Sequence, residues 1–272
     1  MKIQLKNIHF EYLDGNTVFD NLSLSLEIDQ QNPNKLVGII GPSGTGKTTL
    51  ISIVGGQLNP QSGKVLINDQ DIYQLFDTQK RQLIAIQLQT STAIRGSVRK
   101  NLTFGISIID EENGEQKQLF ETITDNNYLI EILKSVGLWK IFEKKDGLET
   151  KIGEGGVNLS GGQRQRLNFA SLYLRSLYFK PQVILIDEPT SSLDEISEKA
   201  ITKMITEISK NALTLVVAHR LNTLNSAHLL IDTSLIKISS EVVGYTRDEL
   251  KEVSEYYQML SAGKTDLEEV ED

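Results

Sequence analysis

Residues 41–48, Gly41-Pro42-Ser43-Gly44-Thr45-Gly46-Lys47-Thr48, with Thr49 next in line, have the types and spacing needed to hold a polyphosphate. The pattern is G-x-x-x-x-G-K-[ST], set between a continuous apolar run and a stretch that reads as a helix. Glycines here let successive backbone N–H groups curl around phosphate oxygens, and the helix start adds its positive end. A lysine placed as Lys47 reaches the β- and γ-phosphates, and a hydroxyl placed as Thr48 ligates Mg²⁺. The plainer reading is a glycine-rich turn joining a strand to a helix, and the motifs downstream weigh against it.

A second apolar run ends in Asp187-Glu188-Pro189. A buried parallel strand delivers its terminal carboxylates to the C-terminal edge of the sheet, beside such a loop. There Asp187 would hold Mg²⁺ through a water, and Glu188 would polarise an attacking water as general base. An acidic pair at a strand end is commonplace alone; beside a phosphate loop it is the expected second half of a nucleotide site. Leu159-Ser160-Gly161-Gly162-Gln163 looks like another helix start, in which Ser160 can cap and two glycines admit an anion close to backbone N–H groups. One domain seldom needs two phosphate-binding helix starts.

Word for word, residues 159–163 resemble the signature motif of ABC ATPases, and the resemblance extends over about residues 3–260. It implies that Ser160, Gly161, Gly162 and Gln163 of one subunit close over the γ-phosphate held by the phosphate loop of another. Two ATP molecules would then lie sandwiched in a head-to-tail dimer, with Mg²⁺ at Thr48, Gln89 and Asp187. Tyr12 matches the aromatic that stacks on adenine, although alone it reads equally as a core strand tyrosine. Gln89 matches the glutamine that senses Mg²⁺ and the attacking water; Gln87 is a rival two residues away, but Gln89 keeps better register with 97–102 (SVRKNL). Ser192-Leu193-Asp194 resembles the D-loop, and His219 the switch histidine on the γ-phosphate. His9 and His228 have no such match and read as structural.

Further words are similar to the nucleotide-binding domains of ABC exporters: 97–102, Thr150-Lys151-Ile152-Gly153-Glu154-Gly155-Gly156, 218–223 (AHRLNT), 244–250 (GYTRDEL) and 256–260 (YYQML). Glu154 falls in the loop that touches transmembrane coupling helices. The implied partners are a transmembrane permease and a second ABC ATPase domain, on the cytoplasmic side of a membrane. Departures lie in the long loop 29–35, the acidic stretch 106–127, Asn168-Phe169-Ala170-Ser171 after the signature, and 231–243, which lacks the usual glycine-bearing hairpin.

These groups need a particular frame. Residues 3–12 and 22–28 alternate apolar and polar as half-buried strands do, around a turn at Asp14-Gly15-Asn16. Residues 36–40 are a continuous apolar run, suited to a strand covered on both faces, and 183–186 and 213–217 read as a second and a third buried strand. Helices are expected over 47–57, 164–179 and 195–210, and 128–142 places Leu129, Ile132, Leu133, Val136 and Leu138 at helical spacing. A short strand is expected at 65–67, and a surface insertion within 106–127. The βαβ rhythm predicts an α/β P-loop NTPase core with a parallel sheet, and the resemblance adds an N-terminal antiparallel β subdomain and an inserted α-helical subdomain at about 90–165. Residues 1–262 form one nucleotide domain on this reading, and 263–272 an acidic tail.

Composition sets limits. With 28 basic and 36 acidic residues the net charge is −8, so the overall field does not favour nucleic acid, and none is expected as a partner. There is no cysteine and hence no thiolate chemistry. The start lacks a signal peptide's apolar core, and no run approaches a membrane span. The competing reading is a soluble ABC ATPase acting on DNA or ribosomes. DNA-repair members would show a long coiled-coil insertion between phosphate loop and signature, and ribosome-acting members a second nucleotide domain; neither is present. A catalytically dead module would have lost Lys47, Glu188 or His219.

Overall fold

The computed structural model describes residues 1–29, 31–89, 92–106, 114–191, 193–237 and 241–263. β1 (Lys2–Glu11) and β2 (Thr17–Glu27) pair antiparallel around Gly15. Their alternation buries Ile3, Leu5, Ile8 and Phe10 against Leu22, Leu24 and Leu26. It slips at Lys6-Asn7, where Asn7 takes φ 53° and the register shifts, returning Ile8 to the buried face. β2 starts five residues before the 22–28 alternation, because Thr17 to Asn21 pair through their backbone while Asn21 at φ 60° breaks the side-chain period.

β3 (Leu36–Ile40) leads through the glycine-rich loop into α1 (Lys47–Val54). The helix stops three residues short of the expected end, since Gly55-Gly56 follows and Gly56 turns left-handed at φ 67°. β4 (Ser62–Ile67) is longer than its apolar part, and β5 (Gln70–Asp71), α2 (Asp77–Leu83) and β6 (Ile84–Gln87) come next. A mostly helical stretch holds β7 (Gly96–Ser97), α3 (Val98–Leu102), α4 (Gly114–Thr124), α5 (Asn126–Ser135), α6 (Trp139–Phe142) and β8 (Lys151–Ile152). The expected insertion at 106–127 thus contains a helix, α4, which buries Ile123 and packs Leu119 and Phe120 on the same core; residues 107–113 lie outside the described residues. The five apolar residues read at helical spacing between 129 and 138 are all buried.

α7 (Gly161–Phe179), β9 (Val183–Asp187), α8 (Glu195–Ile208), β10 (Leu213–Val217), β11 (Leu229–Asp232), β12 (Glu241–Val243), α9 (Arg247–Val253) and α10 (Glu255–Ser261) complete the chain. The central sheet has the order β11-β3-β10-β9-β6, parallel throughout. Its alternate residues divide two cores. Val37, Ile39, Leu185 and Leu215 face α1 and the antiparallel sheet, while Leu36, Ile40, Ile184, Ile186 and Val216 face the helical side. Burial on both faces is why these strands are mostly apolar along their whole length. The second sheet, β12-β2-β1-β4-β5, is antiparallel except that C-terminal β12 joins β2 in parallel. The 264–272 portion of the acidic tail, Ser192 of the D-loop and 238–240 lie outside the described residues. Among the described residues no helix is long and apolar enough to cross a membrane.

Candidate nucleotide site

The site forms where β3, β9 and β10 end on one edge of the parallel sheet. Gly46, at φ 94°, turns the chain into α1, and no side chain caps that helix start. Its first N–H groups are therefore left for an anion. A side chain at Gly46 would put its Cβ 2.7 Å from Val18 and 2.9 Å from Phe19, so glycine is required by space as well as by conformation. Lys47 is buried and its Nζ donates to the carbonyls of Gly41 (2.6 Å) and Pro42 (2.8 Å). Ser43, Gly44 and Thr48 are exposed. An open cleft of about 260 Å³ is lined here by Tyr12, Ser43, Lys47, Thr48, Glu188 and His219, among others.

Tyr12 borders this cleft with 39% of its surface exposed. Its ring stands edge-on to Phe10 at 4.9 Å, and its hydroxyl lies 2.9 Å from Thr49 Oγ1. One end of the ring is thus fixed while the rest stays available to a planar ligand.

Glu188 takes a left-handed φ of 47° just past β9. Its N–H donates to the Val217 carbonyl of β10 at 3.1 Å, and its own carbonyl accepts from Gln165 Nε2. The carboxylate is clamped from both sides: Oε1 is 2.7 Å from His219 Nε2, and Oε2 accepts from Gln89 Nε2 at 2.7 Å. The hydrogen bond from His219 outweighs burial and holds the Glu188 carboxyl below the usual range, so it is ionised at neutral pH.

Asp187 behaves oppositely. It is 1% exposed, and neither carboxylate oxygen has a hydrogen-bond partner. Burial pushes its carboxyl up. Two orphaned, buried oxygens beside Thr48 are what a Mg²⁺ site needs from the protein. Among the described residues no group of three His, Cys, Asp or Glu could hold a metal. Mg²⁺ at this position must therefore bring phosphate and water oxygens with it, which is its usual habit. The residues fit the ion.

Gln89 and Gln87 are now separable by position. Gln89 meets Glu188, whereas Gln87 is the last residue of β6 and 4% exposed, with an unpartnered Oε1. Ser160 caps α7: its Oγ accepts from Gln163 N–H (3.2 Å), and Gln163 Oε1 accepts from Ser160 N–H (3.1 Å). Ser160 and Gly161 are exposed and do not line the phosphate cleft; Gly161 borders a separate narrow cleft with Gln89 and Gln165. The loop, Tyr12, Glu188 and His219 line one cleft; Gln89 meets Glu188 at its edge, and Gln89, Asp187 and Gly161 line the neighbouring one, while none of Ser160 to Gln163 lines the phosphate cleft. Gln165, whose amide holds the Glu188 carbonyl, carried no signal beyond standing two residues after the signature.

The sequence profile of the ABC transporter family matches residues 20–191. A Rickettsia felis protein provisionally named an export ATP-binding/permease protein is 34% identical over 265 residues, 96% of this chain and 41% of its own length. The alpha-hemolysin translocation ATP-binding protein HlyB of Escherichia coli O157:H7 is 33% identical over 231 residues, 84% of this chain and 29% of its own. A bacterial Atm1-family ABC exporter solved with ATP bound superposes with a TM-score of 0.74 at 24% identity, over 96% of this chain and 42% of that one, which establishes the shared fold. The chain belongs to the ABC transporter family, as an ATP-binding and ATP-hydrolysing domain. It spans about two fifths of the length of the first of these relatives.

Proposed function

We propose that this chain powers export across a membrane by binding and hydrolysing ATP in a head-to-tail dimer coupled to a transmembrane permease. The observation that carries the reading is the split site. An open cleft holds the phosphate loop, Tyr12, Glu188 and His219, while the signature at the start of α7 lies outside it, with Ser160 and Gly161 exposed. A facing ABC domain would bring its own Ser160 to Gln163, with the Gly161 and Gly162 N–H groups aimed at the γ-phosphate. Tyr12 would stack on adenine, and Lys47 would leave the Gly41 and Pro42 carbonyls for the β- and γ-phosphates. Glu188, kept ionised and aimed by His219 and Gln89, would take a proton from the attacking water. Mg²⁺, held by Thr48, Asp187 and Gln89, would neutralise charge on the phosphates.

Export and a permease partner are supported by the names of the relatives above. A second cleft of about 470 Å³, lined by Arg81, Ile86, Phe104, Arg175 and Phe179 among others, leaves Phe104 54% exposed away from the nucleotide. A permease segment would cover it from the cytoplasmic side of the membrane.

Two individually inactive variants test the split site. Lys47→Ala disables a phosphate loop and Ser160→Arg a signature. If the halves are shared, mixing the proteins at equal amounts restores about a quarter of wild-type ATPase, because half the dimers then hold one intact site. No restoration on mixing would refute the shared site in a homodimer, and full activity of Ser160→Arg alone would refute it outright.

A further inference from the structure

Thr233 follows β11 directly and is fully buried, 188 positions from the loop residue it touches. Its Oγ1 lies 2.5 Å from Thr45 Oγ1 and 3.1 Å from the Ile40 carbonyl. Thr45 Oγ1 in turn donates to the Pro42 carbonyl at 2.8 Å. Two hydroxyl protons serve these three contacts. Either hydroxyl can donate to the other while the remaining proton goes to the Ile40 or the Pro42 carbonyl. The two hydroxyls thus link the Ile40 carbonyl at the end of β3 to the Pro42 carbonyl within the loop.

Thr233 also fills the space under the first residue of the loop. A Cβ on Gly41 would lie 2.1 Å from Thr233 Oγ1, and Gly41 takes φ 143°. The hydroxyl therefore packs directly on the loop's backbone, at a residue whose conformation favours glycine.

Pro42 carries a double load, since its carbonyl accepts from both Thr45 and the Lys47 ammonium. When Lys47 turns to a phosphate, that carbonyl keeps the Thr45 hydroxyl and, at 3.4 Å, the Thr45 N–H. Thr233 braces that hydroxyl from its other side.

We propose that Thr233 is a positioning residue for nucleotide binding, which keeps the loop 41–48 in its phosphate-ready shape while Lys47 changes partners. The proposal rests on the reading of 41–48 as the phosphate loop. It also ties β11, at the far end of the chain, to the nucleotide.

The test is calorimetric titration with ATP and Mg²⁺ of the wild type and of Thr233→Val, Thr233→Ser, Thr45→Val and Lys47→Ala, with the melting temperature of each nucleotide-free protein. Thr233→Val keeps the shape and loses the hydroxyl, and should weaken ATP binding about tenfold, the worth of one hydrogen bond. Thr233→Ser should bind close to wild type. Thr45→Val removes the same contact from the half-buried side and the bond to the Pro42 carbonyl as well, so it should weaken binding at least as much as Thr233→Val, and the double variant should be no weaker than Thr45→Val alone. Should Thr233→Val fail to fold, Thr45→Val against Thr233→Ser decides alone. A lowered melting temperature with wild-type ATP affinity in Thr233→Val would mean that the residue serves the fold only, and would overturn the proposal. So would Thr233→Ser binding as weakly as Thr233→Val. If Lys47→Ala binds ATP normally, the phosphate-loop reading falls and takes this one with it; if only Lys47→Ala weakens binding, this proposal alone falls.

Discussion

Asp187→Asn should make the nucleotide-free protein more stable and the ATP-bound protein less so. Asp187 ends β9 with 1% of its surface exposed and no hydrogen-bond partner for either oxygen. Burial raises its carboxyl above the usual range and outweighs the Thr48 hydroxyl, Lys47 and His219, which favour the ionised form, while the charge of Glu188 adds to the rise. A carboxyl raised in the folded state binds its proton more tightly there than in the unfolded chain. Its share of the stability therefore falls as pH rises from the ordinary carboxylate value to the raised one, and stays at the lower level above it. A buried carboxylate that Thr48, Lys47 and His219 offset only in part still costs about 2–4 kcal/mol, whereas an unpaired neutral amide of the same shape costs about 1–3 kcal/mol. The difference, about 1–2 kcal/mol, corresponds to a melting temperature higher by roughly 3–6 °C for a domain of this size. With ATP and Mg²⁺ at about a hundred times the dissociation constant, the wild type gains about 2.7 kcal/mol. The variant should lose the metal-dependent part of that gain. Scanning calorimetry at neutral pH, with and without ATP and Mg²⁺, reads both effects. A variant that melts below the wild type without nucleotide, or that keeps the full Mg²⁺-dependent gain with it, would refute the reasoning.

Glu188→Gln should still bind ATP while turnover falls about 10²-fold or more, the usual contribution of a general base; gel filtration with ATP should then show an accumulated dimer. Continued turnover near the wild-type rate would remove Glu188 from that role. His219→Ala deletes the main influence holding the Glu188 carboxyl low, so the acid limb of the ATPase pH profile, normalised to its maximum, should move to higher pH. The same change should weaken the protein at neutral pH and make little difference in acid: the contribution of a depressed carboxyl is present above its unfolded value and is lost, in the wild type too, as pH falls through the folded one. An acid limb that stays in place would show that His219 does not set the ionisation of Glu188.

What could be read from the sequence followed burial. β3 and β10 match their expected bounds residue for residue, because both faces of the parallel sheet are covered and Thr214, the one polar residue in them, is buried with its hydroxyl on the Ala212 carbonyl. The spacing over 129–138 marked its buried side for the same reason. Pairings made by backbone alone left no trace. β4 starts at Ser62-Gly63-Lys64, all exposed, where the partner strand and not the side chains sets the extent. β12 joins β2 from more than two hundred residues away, beyond any local period. α4 hid in an acidic stretch, since polar residues outnumber the few apolar ones that anchor it. At the site, the loop, the Asp187-Glu188 pair and the signature are local words and stood out. Gln165 and Thr233 act through long-range bonds, and their neighbours in sequence gave no hint of it.

The two helix starts that look alike in sequence differ in a way that suits a divided site. α1 begins after Gly46 with no capping side chain, so its first donors wait for phosphate and the helix start is least satisfied when no nucleotide is bound. α7 begins with a reciprocal box between Ser160 and Gln163, which satisfies two donors without any ligand. An exposed helix start that must persist while the dimer is open needs such a cap, and a start that always stays with its own nucleotide does not. The cap leaves the Gly161 and Gly162 N–H groups, and these carry no side chain to keep an approaching phosphate at a distance. On this reading closure has little to rebuild on the signature side, and the change on binding ATP is concentrated on the loop, where Lys47 exchanges two carbonyls for phosphate oxygens.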